Sequence, residues 1–182
     1  MIKSYLRRGN IISLIASLII LAGLVLLDLN GITYALSLPF LVIMWIVWFL
    51  AIPSFLSYHK SELEKPKLMD YFAIPAIIIT FLGLVLASLG NLLGIEIILA
   101  GYTLEPIAGI SIYLTTKKFN YGYSSLFFWG AVIFTAGLPL YLVNLGIVAI
   151  LGDVVKMVGI VGLLMNANLF RRYKVTKYSM MV

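Results

Sequence analysis

The chain has 182 residues, 63% apolar and only 11% charged, with a formal charge of +6. An ordinary soluble domain is roughly 45–50% apolar and about 25% charged, so a water-soluble fold is excluded and lipid is the expected solvent for most of the chain. With no cysteine and a single histidine, His59, disulfides, thiolate catalysis, iron–sulfur ligation and bis-histidine haem are excluded too.

A membrane span needs about 20 apolar residues. In chain order the apolar runs predict six, over residues 11–29, 32–56, 71–89, 93–115, 124–143 and 145–170. Together they form one all-α, polytopic membrane domain covering residues 1–182. The basic start, Met1 to Asn10, followed by the run from Ile11 to Leu27, has the outline of a signal peptide. That run is long for such a segment and no small-residue cleavage site follows it, so it is expected to be retained as the first helix.

Twelve of the thirteen Lys and Arg residues fall in four polar stretches: Lys3/Arg7/Arg8, Lys60/Lys65/Lys67, Lys117/Lys118 and Arg171/Arg172/Lys174/Lys177. The breaks around Asn30, Asn91 and Asn144 carry none. Cations cluster on the cytoplasmic side of membrane helices, which puts both chain ends inside. The positive charge is split among these edges and forms no continuous basic face, so nucleic acid is not an expected partner. The stretch from Lys60 to Lys65 mixes both signs and reads as a solvated turn of helix. His59 beside it reads as a surface residue. Most tyrosines, Tyr58 and Tyr141 among them, fall at span ends, where the ring meets the headgroups with its hydroxyl wet.

The three uncharged links are short, so the spans read as three antiparallel helical hairpins. Their outer halves are alike: Ala22-Gly23-Leu24-Val25-Leu26 to Asn30, Leu82-Gly83-Leu84-Val85-Leu86 to Asn91, and Ala136-Gly137-Leu138-Pro139-Leu140 to Asn144. Gly-to-Asn spacings of 7, 8 and 7 predict an internal triplication.

Three ionisable residues fall near the midplane: Glu105 in the fourth span, and Asp153 and Lys156 in the sixth. Asp153 and Lys156 lie roughly 12 and 17 Å below the outer end of their helix. Each mid-span charge costs about 2.5–3.5 kcal/mol on insertion scales, so the three persist only if paired, neutralised or wet. Asp153 and Lys156, three apart, share a helix face. Lys156 is also a partner for Glu105 on a neighbouring helix. The group reads either as a polar pocket with a titrating Glu105 or as an ion-pair knot that fixes helix order. Pro106 predicts a kink in the fourth span that exposes the Tyr102 carbonyl, with Tyr102, Thr103 and Glu105 facing a cavity. Pro39 and Pro139 predict kinks nearer the outer ends. Gly152, Gly159 and Gly162, with Gly101 and Gly109, predict close helix contact. Asn166 and Asn168 are expected to cap the inner end of the sixth helix or to bond to water.

No zinc-binding helix, nucleophile elbow, phosphate loop or acidic metal cluster is present in the sequence. No catalytic residue, metal or cofactor is therefore assigned, and an enzyme is not expected. Asp153 and Lys156 resemble the Asp/Lys pair on the retinal helix of microbial rhodopsins, but stand three apart rather than four, and a seventh helix is lacking. The Gly-Leu runs at Gly23, Gly83 and Gly137, with returning helices such as Ala100-Gly101-Tyr102 and Ile150-Leu151-Gly152, resemble the HdeD-type small membrane proteins linked to acid stress in bacteria. That resemblance spans about residues 11–172 and implies three short hairpins and a stress role with no established chemistry. In size and span count alone the chain is also similar to the substrate-binding subunits of energy-coupling-factor vitamin transporters. The expected role is a non-enzymatic protein of the plasma membrane, stress-related or accessory to a larger complex. The alternative is a small solute-binding or transport subunit with a pocket around Glu105, Asp153 and Lys156. The expected partners are the bilayer and either another membrane protein or a second copy of the chain.

Overall fold

The computed structural model describes residues 2–166, with side chains from Ser4. The expected span end at Phe170, the cations Arg171, Arg172, Lys174 and Lys177, and Asn168 lie outside the described residues, as does the Lys3 side chain.

Chain breaks come where backbone chemistry demands them. Helix α1 (Ile2–Asn30) runs unbroken through its basic start and stops at Gly31, whose φ of 81° is costly for any residue with a Cβ. Asn30 Nδ2 donates to the Leu26 carbonyl at 2.7 Å, satisfying one of the last orphan acceptors. A 3-10 turn, Ile32–Leu36, leads to α2 (Leu38–His59). There Ser37 caps the Phe40 N–H and Pro39 sits in the first turn. Pro39 therefore starts a helix rather than kinking one, because the first-turn N–H groups have no intrahelical partner to lose.

The link at residues 60–65 is not the turn of helix expected from its mixed charges. Pro66 disfavours α geometry in the preceding residue, and Lys65 turns left-handed at φ 54°. Ser61 and Leu63 are buried, and the Lys65 carbonyl accepts from Ser111 Oγ at 2.9 Å. Helix α3 (Pro66–Ser88) starts at that proline, five residues before the expected Tyr71, and the chain turns just beyond its end at Gly90, again at φ 81°.

The fourth span is in two pieces, α4 (Leu93–Thr103) and α5 (Glu105–Thr116), broken at Leu104. In the fifth, α6 (Tyr121–Gly137) passes into a 3-10 turn, Leu138–Val143, with Pro139 in its first turn. Asn144 closes this segment in the left-handed region, and α7 (Ile147–Met165) follows.

Among the described residues, six segments are long and apolar enough to cross a membrane: Ser4–Asn30, Leu38–His59, Pro66–Ser88, Leu93–Thr116, Tyr121–Val143 and Ile147–Met165. Large apolar side chains such as Leu18, Phe49, Ile78, Trp129 and Val158 remain exposed on them, as lipid contact requires.

Each segment packs on the next, and α7 packs back on α1, so the six form a closed ring in sequence order. Glycines set the tightest joints. A Cβ on Gly130, Gly137, Gly152 or Gly159 would strike the backbone of the facing helix in the α6–α7 pair, and Gly83 and Gly94 hold α3 against α4 in the same way. Gly109, by contrast, has open space where a Cβ would stand, so its expected contact role is not observed.

The two basic links, at residues 60–65 and 117–120, meet at one end of the ring. Lys60 lies over the Tyr5 ring at 5.9 Å, Lys118 pairs with Glu64, and the Glu64 N–H donates to Thr115 Oγ1 at 2.8 Å. The buried core is in two parts. One, with Leu24, Phe40, Leu84 and Phe134, lies toward the uncharged turns; the other, with Tyr58, Leu63, Ile112 and Leu163, lies toward the basic end.

Candidate functional site

Between those two core clusters the ring borders a partly open cavity of about 200 Å³. Every spanning segment contributes to its wall. The wall is mostly apolar and aromatic, with Trp48, Tyr102, Phe127, Phe128 and Phe134, and with Glu105 and Lys156 as its charged members.

Local sequence explains how the charges arrive there. The break at Leu104 makes Glu105 the first residue of α5, with Pro106 behind it. Proline has no N–H to lose at that position, and a carboxylate in the first turn is favoured by the helix dipole. On α7, Asp153, Lys156 and Ile160 recur at helical spacing on the buried face. Gly130 lies directly on the Lys156 backbone and Gly152 on that of Phe134. The α6–α7 joint therefore presses Lys156 toward the ring interior.

Lys156 Nζ lies 3.0 Å from Asp153 Oδ1, 3.8 Å from Glu105 Oε1 and 4.5 Å from the Phe134 ring centre. The three sequence-predicted ionisable residues are thus gathered at one point. Their exposures differ in a way that matters. Asp153 is fully buried and the Lys156 side chain is 7% exposed, whereas the Glu105 side chain is 45% exposed. Neither carboxylate oxygen of Asp153 has a hydrogen-bond partner among the described residues, so the ion pair with Lys156 is the main compensation for that carboxylate. Lys156 and Asp153 together are neutral. Glu105 adds a negative charge beyond that balance, on the group most open to the cavity.

Tyr102 lines the cavity and packs edge-on to Phe134 at 5.8 Å. Thr103, expected beside it, is exposed instead and donates to the Ala100 carbonyl at 2.7 Å. Gly109 belongs to the wall, which explains its open space.

The sequence reading missed a polar ladder on the α1–α2 side of the cavity. Tyr58 Oη donates to Asn10 Oδ1 at 2.7 Å and to Ser13 Oγ at 3.3 Å, and Ser13 and Ser54 share a hydrogen bond at 3.1 Å. Tyr58 is buried rather than wet, and so is Tyr141, which donates to the Leu24 carbonyl at 2.9 Å. The signal was present. Asn10, Ser13 and Ser17 stand at i, i+3 and i+7, and Ser54 and Tyr58 at i and i+4, one stripe on each helix. Both cores enclose a tyrosine because its buried hydroxyl finds a partner there. His59, at the end of α2, meets Asp70 at 2.8 Å and stays exposed at the rim.

Fold and site together describe a multi-pass α-helical membrane protein whose ring of spans holds an aromatic cavity with one exposed carboxylate. No family model, curated protein or solved structure matches this chain.

Proposed function

We propose that the protein is a non-enzymatic, membrane-embedded small-molecule binding protein of the solute-binding or transport class. The observation that carries this reading is the cavity itself. A ring of six spans of this size could close on a continuous core, yet here the core is split around a space of about 200 Å³ bearing Glu105. Ligand sites are typically apolar, aromatic and concave, with a few converging polar groups. A charge inside a membrane is a functional candidate by default. Asp153 and Lys156 fix the site, and Glu105 contacts the ligand.

The chain is read as three hairpins of one repeated unit in the plasma membrane, with its basic end cytoplasmic. Two features support this. The most extensive helix pairs are α1–α2, α3–α4 and α6–α7. In each pair the glycine of the repeated motif, Gly23, Gly83 or Gly137, faces the following helix. The test is native mass spectrometry of the gently extracted protein and of Gly109→Leu, which fills open space. Wild type is expected to carry a small-molecule adduct that the variant lacks, with equal melting temperatures. An adduct retained in the variant, or absent from both, overturns the reading.

A second reading, a stress-related or accessory subunit, draws on one separate feature. Phe49 and Phe81 form with Trp45 an aromatic patch on the outer face of α2 and α3. A co-purifying subunit in the same spectrum, lost on Phe49→Ala, would favour it.

A further inference from the structure

We propose that the cavity takes a small organic monocation, an amine carrying an apolar body of about one ring, with its charged head on Glu105. This assignment rests on the pocket function proposed above and adds the ligand's charge and size.

Charge balance decides the sign. One ammonium, Lys156, faces two carboxylates, Asp153 and Glu105. An anionic ligand would need Lys156, yet that ammonium is 7% exposed and already enclosed by Asp153, Glu105 and the Phe134 ring. Glu105 is 45% exposed, and its Oε1 is 3.8 Å from Lys156, beyond hydrogen-bond length. A cation seated there completes a neutral set of four charges, two of each sign. A carboxylate on a mostly apolar wall is better matched by a cation than by a second anion.

The walls agree with that sign. Aromatic faces carry negative potential and attract cations, with Trp the strongest. The Trp48 N–H is taken by the Ile77 carbonyl at 2.9 Å, so Trp48 offers the cavity ring surface rather than a donor. On the same α1–α2 side of the cavity, Tyr58 is engaged with Asn10 and Ser13 with Ser54. Size follows from volume. An enclosed apolar space of about 150 Å³ holds benzene, so 200 Å³ holds one ring and a short ammonium arm.

The test compares three probes of one shape, benzylammonium, benzyl alcohol and benzoate, titrated calorimetrically into the full chain in lipid nanodiscs, with empty nanodiscs as the blank. Benzylammonium is expected to bind at least tenfold more tightly than the other two. Glu105→Gln is expected to remove at least tenfold of that affinity while leaving benzyl alcohol unchanged, and Glu105→Asp to keep most of it. Trp48→Leu is expected to weaken the cation several-fold and the alcohol hardly at all. Thermal melts of each variant report folding, and the Asp and Leu variants carry the test if Glu105→Gln does not fold. If benzyl alcohol or benzoate binds wild type as well as benzylammonium, or Glu105→Gln binds the cation normally, the assignment falls while the pocket function stands. If no probe binds wild type, the pocket function falls and this assignment with it.

Discussion

Lys156 is the residue on which the interior balance turns. It faces a fully buried Asp153 at 3.0 Å and a half-exposed Glu105 at 3.8 Å. Removing one partner of a buried pair strands the other, which typically costs about 3–5 kcal/mol, whereas removing both can be nearly neutral. Lys156→Met is therefore expected to lower the melting temperature in detergent sharply. The double variant Asp153→Asn/Lys156→Met is expected to recover most of the loss. Glu105→Gln is expected to melt close to wild type, because that side chain is 45% exposed and its Oε1 lies beyond hydrogen-bond length from Lys156. Equal losses for Glu105→Gln and Lys156→Met would make all three charges structural.

At the scale of elements, glycine does two unlike jobs. In the α6–α7 joint it permits backbone contact, so Gly152→Leu is expected to abolish a monodisperse peak in size-exclusion chromatography, since a side chain there would meet the Phe134 backbone. Gly109→Ala, on the cavity wall, is expected to leave both elution and melting unchanged. At the turns glycine supplies a left-handed residue. Gly90→Ala at φ 81° is expected to destabilise by about 1–2 kcal/mol, whereas Asn144→Gly at φ 58° is expected to be neutral or mildly stabilising by the same melt. The three turns are related but not superimposable on their asparagines. The left-handed residue follows Asn30, precedes Asn91 and is Asn144 itself.

For the whole molecule, the ring in sequence order and the basic end together make topology testable. The chain has no cysteine, so single cysteines report cleanly. Cysteines replacing Asn30, Asn91 or Asn144 are expected to react with a membrane-impermeant maleimide from outside intact cells, and those replacing Glu62 or Lys117 only after permeabilisation. Reaction of both sets from one compartment would overturn a ring of membrane spans. Six long apolar runs were legible because a bilayer demands length and continuous hydrophobicity, both one-dimensional properties. Their ends were less so. The sequence reading extended the second span back to Ile32, but Ser37 and Pro39 are good helix starters and α2 begins there. Segment 60–65 reads as helix by charge, but Pro66 overrides it.

Local composition and period thus sufficed for the number of spans, the basic links between them and the shared face of Asp153 and Lys156. These follow from rise per residue and from the cost of putting charge in hydrocarbon. Closure of the sixth span onto the first, the burial of Tyr58 against Asn10, and the space beside Gly109 were not legible in it, and the sequence offered the Glu105–Lys156 contact only as one of two pairings for Lys156. Each depends on how far helices rotate and approach about their own axes. Backbone contact through facing glycines sets that approach, and two facing helices, not one string of residues, are needed to define it.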